Sequence, residues 1–220
     1  MISYSNYFKA AIKDLHKDKN YLFVFIVRLL VGVEALSMPF FIRYARTVLA
    51  MDPKVTGAYL TVQMVGRMLT ALLWGKIADK KGNKLVISLI SLVGSFIVIL
   101  ALSSEYISEL LIILIPSLRT ETLLPFIYGS VFLMIGSFFA GQMLCFNNYL
   151  LEIKKKKKRP TYLGFFNSVI GIQLMILPFL GGYLVEIFSY QLIFVIVLIS
   201  MIIAFFLSFR LVEPRKNNFD

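Results

Sequence analysis

Gly75-Lys76-Ile77-Ala78-Asp79-Lys80-Lys81-Gly82-Asn83-Lys84 interrupts two long apolar runs. The stretch is polar and basic, and it begins and nearly ends on a glycine. The runs on either side are each about 20 residues long, the length that crosses a bilayer core of about 30 Å. The stretch therefore reads as a short loop between two membrane spans. That reading sets the fold class as an all-α membrane protein.

The rest of the chain repeats the pattern. Hydrophobic residues make up 59% of the 220 positions and the mean hydropathy is +0.81, whereas a soluble domain is nearer 45–50% apolar. The apolar residues predict six spans, over 21–42, 57–78, 85–102, 123–151, 161–185 and 190–211. Residues 21–211 thus form a six-helix transmembrane domain. The connector 103–122 holds an apolar patch at 110–115, too short to cross and read as a surface-lying or partly buried segment. Residues 1–20 carry Phe8, Ile12 and Leu15 at helical spacing among Lys9, Lys13, Lys17 and Lys19. That is the pattern of an interfacial amphipathic helix on the cytoplasmic face. A signal peptide is excluded, because no small-residue cleavage site follows the basic region. Residues 212–220 form a short charged tail.

Charge placement supplies topology. With both termini on one side, that side holds 17 Lys and Arg residues, including the run Lys154–Lys158 and Arg159. The opposite side holds only Arg43, Arg46, Lys54 and Arg119. An asymmetry of 17 to 4 puts both termini in the cytoplasm by the positive-inside rule. It also explains the net charge of +11 without nucleic acid, because the charge is confined to loops between spans; anionic lipid is the natural added contact for the lysines.

Other chemistries lack residues. A single cysteine, Cys145, excludes an internal disulfide and lies in an apolar run as a small packing residue. The single histidine, His16, has no cysteine or carboxylate cluster around it, so no metal site is expected. No catalytic carboxylate pair, phosphate-cradling loop or cofactor motif appears, and no enzyme activity is expected.

Four stretches together resemble the major facilitator superfamily, in the second six-helix half of its members. Gly75–Lys84 is similar to the superfamily's loop between the second and third helices of a half, through Gly75, Asp79, Lys80, Gly82 and Lys84. Met38-Pro39-Phe40-Phe41 with Tyr44-Ala45 resembles the outer end of a half's first helix. Asn147–Glu152, followed by Arg159–Gly164, resembles the junction of the tenth and eleventh helices in bacterial members. Val212-Glu213-Pro214-Arg215 resembles the exit from the last helix. The resemblance implies a multi-pass secondary transporter of the bacterial inner membrane. It also implies that Asp79 latches one conformation by meeting the N-terminus of the half's fifth helix, here near Pro160-Thr161, where the helix dipole favours a carboxylate. Members have about twelve helices in two halves with the solute between them. The single half here implies a second one, from a homodimer partner or a separate chain. A fragment, a split-gene product and a non-transporting membrane subunit are the alternatives. Residues 1–20 stand where the inter-half linker would be.

Ionisable groups inside spans are costly and are functional candidates by default. Arg28, Glu34 and Arg67 qualify. At about 1.5 Å per residue they reach overlapping depths, and Glu34 is nearest the midplane. Two readings of Glu34 stand: a proton- or solute-binding carboxylate in gated contact with Arg67, or a structural ion pair. Arg28 is shallower and can snorkel towards the headgroups. Gln63 lies one turn from Arg67. Asn147 and Asn148 are adjacent, so one of them faces the interior; Asn167 and Gln173 lie on divergent faces of span five. Gly136, Ala140 and Gly141, and Gly164, Ser168 and Gly171, allow close helix packing. Pro178 with Gly181 and Gly182 predicts a bend in span five. The solute itself is not legible.

Overall fold

The computed structural model describes residues 17–115, 119–154 and 156–214. Most of the amphipathic segment expected over 1–20, including His16, lies outside the described residues, as do Lys155 and the tail beyond Pro214.

The described chain is helical. Helix α1 is Lys19–Gly32, followed by a 3-10 turn at Val33–Leu36 and α2 at Phe40–Thr47. Then come α3 (Pro53–Lys81), α4 (Asn83–Leu114), α5 (Thr120–Ile153), α6 (Arg159–Ile187) and α7 (Tyr190–Ser208). Local chemistry sets several starts. Asp18 caps α1 by accepting from the Tyr21 N–H at 3.1 Å. Asp52 caps α3 from the Lys54 N–H at 2.7 Å, with Pro53 at the first helical position. Ser189 caps α7 through Leu192. Each side chain takes one of the N–H groups a helix start leaves unpaired.

Five segments are long and apolar enough to cross a membrane: Lys19–Thr47, Asn83–Leu114, Thr122–Ile153, Arg159–Ile187 and Tyr190–Ser208. Helix α3 has 29 residues, about 43 Å of helix, and falls short only in hydropathy. Gln63 and Arg67, with its threonines and tyrosine, dilute its apolar residues.

Three boundaries differ from expectation. Span one is not one helix but α1, a 3-10 turn and α2. The loop expected over 75–84 narrows to Gly82, because α3 continues to Lys81 and α4 begins at Asn83. The patch 110–115 is not a separate surface segment, because α4 runs on unbroken to Leu114. No glycine or proline lies between Gly94 and Pro116 to stop it. Two serines in this stretch bond to their own helix, Ser103 Oγ to the Ile99 carbonyl at 2.7 Å and Ser104 Oγ to Ala101 at 2.9 Å. At 32 residues, α4 is longer than a bilayer core requires.

Packing runs in sequence around the bundle. Helix α3 packs on α5, α5 on α4, α4 on α7, α7 on α1, and α6 against the broken segment after α1. Glycines bring α3 and α5 together. A Cβ on Gly66 would fall on the Leu133 carbonyl, and one on Gly136 on the Gln63 carbonyl. Around this contact Tyr59 stacks on Phe132 at 4.8 Å, and the Trp74 indole donates to the Ser137 carbonyl at 2.8 Å. In contrast, nothing lies within 4 Å of a Cβ built on Gly164 or Gly171. These two positions on α6, expected to pack closely, face open space within the described chain.

Candidate functional site

The break in span one builds the site. In an unbroken helix the Leu29 carbonyl would accept from Val33. At the break, the Val33 N–H turns back to Leu30 instead. Backbone groups in a bilayer cannot be left unpaired, and neighbouring side chains take them up. Gln173 Nε2 donates to the Leu29 carbonyl at 2.8 Å, and Ser200 Oγ to that of Leu30 at 2.8 Å. The Glu34 carbonyl accepts from the Ser37 and Met38 N–H groups, and Tyr128 donates to Phe41 at 2.8 Å. Gly181 lets α6 approach the Leu36 carbonyl, and α6 continues as one helix through Pro178. Gln173→Leu is expected to lower stability by about 1 kcal/mol, read as the unfolding midpoint of the purified protein. The substitution would leave the Leu29 carbonyl with no side-chain donor.

The break turns Glu34 into the bundle, where it is 2% exposed. Gln142 Nε2 lies 3.0 Å from both of its carboxylate oxygens. Glu34 and Gln142 form the floor of a cleft of roughly 370 Å³. Arg28 from α1, Arg67 from α3, Phe139, Met143, Phe146 and Asn147 from α5, and Asn167, Ile170, Gly171 and Leu174 from α6 complete its lining. The Arg28 guanidinium lies over the Phe146 ring, 5.1 Å from its centroid. Exposed Arg67 donates through Nη2 to the Met143 sulfur at 3.4 Å. Met143 is 65% exposed and Leu174 49%, so the cleft opens on the side framed by α3, α5 and α6.

Of the residues singled out by sequence, Arg28, Glu34, Arg67 and Asn147 line this cleft together. Gln63 and Asn148 do not line it. Asn167 does, while Gln173 serves the backbone of α1. Gln142 is the residue sequence reasoning missed. Its signal was a glutamine in the middle of an apolar span, one turn from Phe146.

A second polar cluster lies at the end of the bundle where α3 meets α4. Gly82 has φ +89° and ψ 161°, a region essentially reserved for glycine. A Cβ there would also fall on the Glu213 carboxylate. Buried Asn83 donates to Glu152 at 3.0 Å, and Lys84 Nζ to the Phe209 carbonyl at 2.9 Å. The Tyr149 hydroxyl has one proton for two acceptors, the Val212 carbonyl at 2.7 Å and Asn20 Oδ1 at 2.9 Å. Three of the four stretches that carried the family resemblance meet here. Asp79 is exposed in the last turn of α3. Gly82→Ala is expected to cost about 1–3 kcal/mol. Gly75→Ala, in a helix with nothing within 4 Å, is expected to gain up to about 1 kcal/mol. Unfolding midpoints of the pair check both.

Lys154 joins the cluster. It donates to Asp18 at 2.9 Å and lies over the rings of Tyr21 and Tyr162, at 4.2 and 4.5 Å. Partial burial pushes the Asp18 carboxyl up. The Lys154 hydrogen bond and charge, with the Tyr21 N–H, outweigh it and hold the group below its usual range. A depressed carboxyl stabilises the fold above its ordinary pKa, and that share is lost as pH falls through the depressed value. Lys154→Gln is therefore expected to destabilise more at pH 7 than at pH 3. The pH-dependent part is below about 1 kcal/mol, since the Asp18 side chain is 40% exposed. Unfolding midpoints across that pH range provide the check.

A family model described as Major Facilitator Superfamily matches residues 21–220. A comparison with curated proteins gave no match. The matched region takes in the Gly82 turn, the cleft and the body of every helix long and apolar enough to cross a membrane. The chain is a multi-pass membrane protein, and it belongs to the major facilitator superfamily, a family of transporters.

Proposed function

We propose that the chain is a six-helix unit of a secondary transporter, with both termini cytoplasmic and α3 as its sixth crossing. Its solute is held in the cleft beneath the break in span one, and a second six-helix body closes that cleft. The observation that carries this reading is the cleft itself. Charged and amide side chains from four elements converge on a helix break, as transporters place solute sites at discontinuous helices. Glu34 is then the candidate carboxylate for coupling to protons.

The second body is supported by what faces outward. Arg67 is exposed on α3 between Met64 and Met68, and Met68 and Leu72 are 70% and 73% exposed. A cation on a lipid-facing surface is costly. Gly164 and Gly171 on α6 leave open room for a close helix approach. The proposed latch between Asp79 and the start of α6 would act within this body.

A photoreactive residue in place of Met68, activated in native membranes, tests the assembly. The expected product is an adduct with a second multi-span body. Adducts with lipid alone would overturn it.

A further inference from the structure

Arg28 has a donor that the cleft leaves unsatisfied, although Glu34 lies near enough to act on its charge. Its Nη1 is shielded from solvent and has no hydrogen-bond partner among the described residues. The Phe146 ring beneath it is a weaker partner than an anion would be. Glu34 turns both oxygens towards Gln142. Arg67, the second cation of the cleft, reaches the Met143 thioether, which is a weak acceptor.

Two guanidiniums and one carboxylate therefore share the cleft, an excess of one positive charge. Cations in apolar surroundings are costly until paired. A guanidinium fork matches the two oxygens of a carboxylate or phosphate. Asn147 and Asn167 add neutral amides that suit hydroxyl or carbonyl groups. Ile170 and Leu174 supply an apolar wall for a short carbon skeleton.

We infer that the cleft takes a small organic anion, with its carboxylate or phosphate group on Arg28 and Arg67 nearer the mouth. This rests on the reading of the cleft as the solute site. It adds the sign of the solute's charge and the residue that recognises it.

The test uses the full chain in lipid nanodiscs and follows thermal unfolding at constant ionic strength. The probes are acetate and inorganic phosphate, the head groups alone, against acetamide and ethylammonium, which match acetate in size. Acetate or phosphate is expected to raise the melting temperature saturably, while acetamide and ethylammonium do not. Arg28→Gln is expected to weaken that binding roughly 10- to 100-fold, and Arg28→Lys less. Arg46→Gln, an exposed arginine outside the cleft, leaves it unchanged. The apo Arg28→Gln protein should melt close to the parent, because the group removed has an unpaired donor.

Silence of both anions, or anion shifts that survive Arg28→Gln, overturns the inference. So does a loss of apo stability that Arg28→Lys restores, which would make Arg28 a structural counter-charge. A shift with acetamide or ethylammonium that Asn167→Leu removes also overturns it, yet leaves the cleft as a solute site. Failure of that underlying reading shows separately, as an Asn167→Cys thiol that water-borne reagents cannot reach.

Discussion

Gly136→Leu is expected to yield a protein that does not hold its bundle. A Cβ at position 136 already falls on the Gln63 carbonyl and crowds the Arg67 N–H, and a leucine adds three more carbons. The obstacle is backbone on a partner helix, so no rotamer change relieves it. The reciprocal contact of Gly66 with Leu133 prevents a slide along α3. Overpacking usually costs about 1–3 kcal/mol; with the backbone on both sides unable to give, the cost should exceed about 4 kcal/mol. That is a large part of the roughly 5–15 kcal/mol by which folded domains are stable. The expected readout is loss of monodisperse protein after extraction. Gly164→Leu, with nothing within 4 Å, should extract and melt like the parent, and weaken only association with a second body.

Glu34→Ala carries the second large effect. The carboxylate is buried and accepts the hydrogen bond of Gln142 Nε2. Its removal leaves an amide donor without its acceptor and takes the one carboxylate from a lining that holds two arginines. Breaking a buried charged interaction from one side costs about 3–5 kcal/mol; water in the open cleft should bring this nearer 2 kcal/mol. Glu34→Gln keeps the volume and one acceptor, and should lose less than half as much. If Glu34 couples transport to protons, Glu34→Gln also removes the pH dependence of uptake. A double substitution with Gln142→Ala separates the roles. Stability should fall little further once Glu34 is gone, because the two groups act as one unit.

Much of the architecture was legible because bilayer thickness sets a repeat length and apolar runs obey it. The break at Val33–Leu36 was not. Gly32 and Pro39 weaken a helix on either side of it, but neither fixes where the break falls. Gln173, distant in sequence, takes up the Leu29 carbonyl that the break frees, and Pro39 has no N–H to return to Ala35 and so disfavours an unbroken helix through 35–39. The cleft was half legible. Ionisable residues inside apolar spans stand out, so Arg28, Glu34 and Arg67 were evident. Gln142 is uncharged and did not stand out, although it is the residue that holds Glu34. The stretch Gly75–Lys84 was found from its spacing. Its contacts include Glu152, Phe209 and Glu213, because Gly82 turns the chain under the exit from α7.

On this reading the cleft beneath the break is a water-accessible solute site and not a seam facing lipid. Asn167→Cys places a thiol on its wall, and Phe96→Cys places one on α4, where Phe96 is 51% exposed away from it. Native Cys145 is buried and adds no background. The measurement is modification by a membrane-impermeant maleimide, in intact cells and in inverted vesicles. Asn167→Cys is predicted to react from at least one face of the membrane while Phe96→Cys stays unreactive from both. Asn167→Cys as inert as Phe96→Cys in both preparations would contradict the account.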